Sequence, residues 1–207
     1  MIVLNGLLRL IIGLSYLLIL IELLFLPIPS EASTHQLAFK SGVRPLHRFG
    51  LLLSYAAVIV FYVFPLLWAI YPAVYRLALP LTAQPAFASP VLAVVAILAI
   101  LLGSAIGLAG TLELRRALIG DDGGAVVSTG VFRLSRNPIV LGLHIAAIGY
   151  LITIPSLLMA VGLIVFWRHM ETRIGIEEAF LLNRHPERYR RYRRSVGRYL
   201  RWWGRAP

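Results

Sequence analysis

The stretch IVLGLHIAAIGYLITIPSLLMAVGLIVFW, Ile139–Trp167, decides how this chain is organised. Two apolar runs, Ile139–Ile152 and Ser156–Trp167, flank Thr153-Ile154-Pro155. A membrane span needs roughly 20 apolar residues to cross about 30 Å of hydrocarbon. The segment therefore reads either as one kinked span or as two spans joined in a tight hairpin at Pro155. Charge separates the two, because Lys and Arg in short loops stay on the cytoplasmic side. Three further apolar runs precede it: about Gly6 to Ile28, Gly50 to Tyr71 and Pro90 to Leu108. The first is too long for the apolar region of a signal peptide, which is about 7–15 residues.

With the hairpin there are five spans, the N-terminus outside and the C-terminus in the cytoplasm. The inside segments are then Pro29–Phe49, Gly110–Pro138 and the tail from Arg168, which hold 18 of the 20 Lys and Arg residues. Only Arg9 and Arg76 fall elsewhere. A four-span chain would put loops carrying seven of these cations on the wrong face. The first run of the hairpin is short, 14 residues at about 1.5 Å each, so it must start before Pro138, tilt, or sit behind its neighbours. The expected fold is all-α and polytopic: a single integral membrane domain over residues 1–207, with three N-terminal spans in 1–109 and the functional core and basic tail in 110–207.

Composition agrees. Hydrophobic residues make up 59% of the 207 and charged residues only 14%, against about 25% charged in soluble domains. Mean hydropathy is +0.81. With no Cys, the chain excludes disulfides, thiolate catalysis, Fe–S clusters and Cys-ligated zinc. His35, His47, His169 and His185 lack metal-ligand spacing, and no metal is expected. There is no P-loop, GxSxG or GxGxxG. Any chemistry must come from helix ends and short loops.

The inside face carries the polar residues. Asp121-Asp122-Gly123-Gly124 is a turn by composition. The next stretch ends Arg136-Asn137-Pro138, where Pro138 suits the first turn of the fourth span. Arg136, Asn137 and the helix N-terminus there favour an anion, although a capped helix with two Arg at the headgroups is the plainer reading. The fifth helix is expected to run on through Glu171, Arg173, Glu177 and Glu178. Glu171 and Glu178, seven apart, share a face. His144 is the histidine inside a span, where an ionisable group faces a cavity or a partner.

Beyond Pro186, Tyr189, Tyr192, Val196, Tyr199, Leu200 and Trp203 recur at helical spacing with Arg between them. That pattern predicts a cytoplasmic amphipathic C-terminal helix on anionic lipid headgroups. Arg mixed with aromatics also occurs in single-strand nucleic-acid binding, but so near the bilayer the partner is lipid, and no nucleic acid is expected. Gly103, Gly107 and Gly110 form a small-residue face on which a dimer would depend.

In order and content these blocks resemble the isoprenylcysteine carboxyl methyltransferase and phospholipid methyltransferase family of integral membrane enzymes. The family pattern G-[PV]-[YF]-R-x-x-R-H-P-x-Y-x-G before a transmembrane hairpin is similar to Gly130–Gly142, with Asn137 at the motif His and Val140 at the motif Tyr. Glu177-Glu178 corresponds to the family's Glu pair, and Tyr189, Tyr192, Val196 and Arg198 to its basic, Tyr-rich tail. The resemblance covers about Leu112 to Trp202. It implies methyl transfer from S-adenosylmethionine, leaving S-adenosylhomocysteine, to a lipid or small amphiphile reached from the bilayer. For that cofactor the candidate contacts are Arg136, Asn137, Pro138, Leu141, Gly142, His144, Glu177, Glu178 and Tyr192, with Arg198 and Glu178 the candidates for catalytic roles. Two other functions share the scaffold: a nicotinamide-dependent membrane reductase like the sterol reductases, and a non-catalytic lipid-binding protein.

Overall fold

The computed structural model describes residues 2–25, 63–81, 90–119 and 126–200. The elements there are helical: α1 (Ile2–Phe25), α2 (63–70), α3 (Pro90–Ile119), α4 (Pro138–Thr153), α5 (Leu157–Arg184) and α6 (Pro186–Ser195), with 3₁₀ turns at Pro72–Ala78 and Gly130–Arg133. Among the described residues no strand forms, apart from an isolated bridge between Pro80 and Ser156. The described residues are all-α, as the apolar pattern predicts. Most of the second predicted span lies outside the described residues, as do Asp121, Asp122 and Trp203.

Within α3, Pro90–Ala117 is long and apolar enough by itself to cross a membrane. At about 1.5 Å per residue it reaches some 40 Å. Two shorter apolar helices, Gly6–Leu18 and Pro138–Thr153, stand beside it. Their outward faces carry large hydrophobics in the open: Leu10 and Leu14 on α1, Leu98 and Leu102 on α3, Val161 and Ile164 on α5. A belt of this kind suits lipid rather than water. Inside lies a core that includes Ile12, Trp68, Ile100, Tyr150, Met159 and Phe166.

The hairpin turns where Pro155 predicts. Proline disfavours α-helix at the residue before it, and α4 stops at Thr153. Ser156 then caps α5, its side chain accepting from Met159 N. The segment after α2 clamps this turn: Leu81 N donates to Pro155 O (2.9 Å), Tyr75 Oη donates to the same carbonyl (3.0 Å), and Leu157 N donates to Leu79 O (3.0 Å). The chain thus provides for the turn's backbone groups without water. Arg9, a cation inside an apolar helix, donates to the carbonyls of Ala69 and Ile70 at the end of α2. These carbonyls lie at a helix C-terminus, which attracts positive charge.

α4 is only 16 residues long, about 24 Å, and it packs behind α3. The contact is nearly backbone to backbone. A Cβ on Gly103 would lie 2.5 Å from Ala146 N and Gly142 O, and one on Gly149 would lie 2.7 Å from the Ile100 side chain. A Cβ on Gly142 would run into Gly103 O and Gly107 N. The small-residue face of α3 is therefore taken up within the chain. Its spacing marks a close helix contact, and that partner is α4.

The tail departs from the expected continuous amphipathic helix. α6 ends at Ser195, and Val196 is extended (φ −126°, ψ 134°). Its apolar stripe turns inward: Tyr189, Tyr192 and Val196 are buried with Val126 and Phe132. Arg188, Arg190, Arg191, Arg193 and Arg194 cover the exposed side. The helix is amphipathic as its spacing predicts, but its aromatic face is buried on the protein, because the turn before α4 offers an apolar surface within reach.

Adding one methyl at the α3–α4 contact is expected to cost about 1–3 kcal/mol, since neither backbone can retreat. Gly142→Ala and Gly103→Ala should lower the thermal unfolding midpoint in detergent. Gly13→Ala, with no atom within 4 Å of the new Cβ, should leave it unchanged.

Candidate functional site

Three segments meet at the polar end of the hairpin: the turn leading into α4, the outer half of α5, and the chain after α6. The turn is built on Gly130, whose φ of +47° favours glycine. A side chain there would also collide with the Glu113 carboxylate, which accepts from Val131 N through both oxygens (3.2 and 3.1 Å). Nothing in the local sequence pattern marks Glu113 as this turn's anchor. Tyr192 Oη donates to Phe132 O (2.7 Å) and fastens α6 to the same turn.

Arg136 leaves this turn with its side chain only 3% exposed. Its Nε and Nη2 donate to Glu178 Oε1 (3.2 and 2.9 Å), and its Nη1 donates to the carbonyls of Arg193 (3.1 Å) and Val196 (2.8 Å). Its backbone N donates to Gly197 O (3.0 Å). The planar guanidinium fork is thereby divided between one carboxylate and two carbonyls. Asn137, at the N-cap of α4, makes no side-chain cap bond. Its Nδ2 donates instead to Arg198 O (3.2 Å), beside Ser135 Oγ, which donates to the same carbonyl. In this chain Asn137 ties down the post-α6 segment.

Arg198 is the more open cation, its side chain 32% exposed. It donates through Nη2 to Glu178 Oε2 (2.7 Å) and through Nη1 to Glu171 Oε2 (3.0 Å). Tyr199 Oη donates to Glu171 Oε1 (2.5 Å). Glu171 and Glu178 thus share one face of α5, as their seven-residue spacing predicts, while Glu177 is exposed beside them. Burial opposes the Glu178 charge, but the Arg198 and Arg136 contacts outweigh it and hold this carboxyl below its ordinary range. The bond to Glu178 raises the Arg198 guanidinium further still, so it remains charged. Burial, then acceptance by Glu171, pushes the Tyr199 phenol up, keeping it a neutral donor.

From the ion cluster an aromatic strip leads along the α4–α5 hairpin. Tyr199 lies 5.8 Å from the Trp167 ring and 5.7 Å from the His144 ring; His144 lies 4.4 Å from Trp167 and 5.0 Å from Phe166. The structure therefore unites Arg136, Asn137, Glu178, Arg198 and, through Tyr199, His144. Two sequence candidates go elsewhere: Gly142 lies in the α3 contact and Tyr192 beneath the turn. Pro138 is buried at the first turn of α4, and Leu141 and Phe180 are half-buried on α4 and α5. Glu171 and Tyr199 complete the cluster. The helical spacing to Glu178 exposes the first; nothing local predicts the second.

Compared with known proteins, the chain matches the sequence model of the phospholipid methyltransferase family over residues 84–188, just over half its length. No curated protein and no solved structure matches it. The matched stretch takes in α3, the hairpin and both carboxylates, and stops before Arg198 and Tyr199.

Removing one partner from a buried ion pair costs about 3–5 kcal/mol, so Arg136→Ala should destabilise the fold by that order. The acid limb follows from Glu178. Its native pKa lies below its unfolded value, so its contribution is complete above about pH 4.3 and lost as pH falls through the lowered native value. Unfolding midpoints measured from pH 7 to pH 3 should fall on the acid side, and Glu178→Gln should flatten that fall.

Proposed function

The chain belongs to the phospholipid methyltransferase family, and we propose that it transfers a methyl group from S-adenosylmethionine to a lipid or small amphiphile entering from the bilayer. The observation that carries this reading is the Arg136–Glu178–Arg198–Glu171 cluster at the polar end of an apolar helical hairpin. It combines fixed charges of both signs with an aromatic strip running toward the membrane.

The donor set fits the cofactor. Glu171 accepts two bonds of the roughly four a carboxylate can take, and its side chain is 28% exposed, leaving room for an ammonium or ribose hydroxyl. Arg198 has guanidinium protons to spare for a carboxylate, a charge-assisted bond. Arg136 and Arg198 balance Glu171 and Glu178, so the cluster offers both signs of charge to a ligand that itself carries a carboxylate and an ammonium. Asn137 and Pro138 bring the α4 N-terminus to the same place, and Leu141, Phe180 and Leu181 offer an apolar wall for adenine.

When bound, the cofactor supplies a methyl carbon already activated by its sulfonium. What remains for the protein is positioning and exclusion of water. Glu178 and Arg198 fix each other, so the side chains that face the ligand are set before it arrives. Arg136 serves as their support. In this reading the chain crosses the membrane five times with its C-terminus in the cytoplasm, and the exposed arginines of α6 meet anionic headgroups.

Calorimetric titration of detergent-purified protein with S-adenosylhomocysteine should give micromolar binding, weakened at least tenfold by Glu171→Gln, a change at the open edge of the cluster. Binding of NADPH in place of S-adenosylhomocysteine would overturn the proposal.

A further inference from the structure

His144 is 3% exposed and lies on α4, an apolar helix of the hairpin. Its Nδ1 lies 2.8 Å from Val140 O. A carbonyl only accepts, so Nδ1 carries the proton and Nε2 carries the lone pair. That Nε2 is buried and has no hydrogen-bond partner among the described residues. A buried acceptor left unpaired is destabilising, and here it is held in place by the rings of Phe166, Trp167 and Tyr199. Tyr199 in turn is bonded to Glu171, so the free nitrogen lies one ring from the ion cluster, on its membrane side.

We propose that His144 Nε2 is the proton acceptor for the methyl acceptor, and that the substrate is consequently an amphiphile whose reacting atom bears a hydrogen: an amine, hydroxyl or thiol rather than a carboxylate. This rests on the methyltransferase reading. In the step, the acceptor atom forms a bond to the methyl carbon, the sulfonium S–C bond breaks with its electron pair going to sulfur, and the acceptor's proton passes to Nε2. The imidazolium so formed gives its proton to water as product leaves. Before the step, the same lone pair accepts a hydrogen bond from the substrate and orients it. A carboxylate needs neither service, since it has no proton to lose and two lone-pair oxygens would face another lone pair.

The test supplies labelled S-adenosylmethionine with dodecylamine, dodecanol, dodecanethiol or dodecanoate as probes, on the full chain in detergent, and measures S-adenosylhomocysteine binding alongside. Label should enter at least one of the first three and not dodecanoate. General-base catalysis contributes about 10²–10⁴-fold, so His144→Ala should lower kcat at least a hundredfold while S-adenosylhomocysteine binds within threefold of wild type. Added imidazole should restore at least a tenth of the lost rate, which a merely structural histidine would not permit. Should the Ala variant fail to bind S-adenosylhomocysteine, His144→Gln, which keeps the volume, is read in its place and should show the same loss of kcat. Methylation of dodecanoate alone, of no probe, or at an unchanged rate in the variants overturns the assignment while leaving the cofactor site standing. A wild-type protein that does not bind S-adenosylhomocysteine overturns both.

Discussion

The buried pair between Arg136 and Glu178 is the constraint from which the polar end of this protein follows. Two ions with side chains 3% and 11% exposed are tolerable only if their hydrogen-bonding capacity is spent on one another and on nearby polar groups. Glu178 cannot be met by Arg136 alone, so Arg198 is drawn in. The surplus donors of Arg136 require the carbonyls of Arg193 and Val196, which fixes where α6 must end and the chain turn back. Asn137 and Ser135 secure the same segment through Arg198 O. Three pieces of chain distant in sequence are held as one body, and the groups left facing outward, Arg198 and Glu171, are the ones suited to a zwitterionic ligand.

The apolar end depends on a different economy. α4 is too short to face lipid unaided, and glycine and alanine at the α3 contact let it lie against a helix nearly twice its length. That proximity sets the height of His144 against Trp167 and Phe166 on α5. The ion cluster and the aromatic strip thus share two helices, α4 and α5.

The sequence made some of this legible and hid the rest for physical reasons. Thr153-Ile154-Pro155 marks the hairpin because proline constrains the backbone locally, and the seven-residue step from Glu171 to Glu178 reports a helical face directly. Periodicity also finds the aromatic stripe at Tyr189, Tyr192 and Val196, but an apolar face has the same signature whether it meets lipid or protein. Here it meets Phe132. The glycines at 103, 107 and 110 announce a close contact without naming the partner. Arg136 stands where an anion site is expected, yet only the fold reveals that its donors are already committed to Glu178 and the carbonyls. Glu113 beneath Gly130 and Tyr199 beside Glu171 depend on contacts between distant segments, for which local spacing carries no signal.

The central claim is that the pre-α4 turn, the outer half of α5 and the post-α6 segment form one ligand site. Hydrogen exchange followed by mass spectrometry, on protein with and without saturating S-adenosylhomocysteine, tests it directly. The account predicts added protection together in residues 130–141, 168–182 and 192–200, with α1 unchanged. Protection confined to α1 and α3, or no protection in a ligand-bound sample, would contradict it.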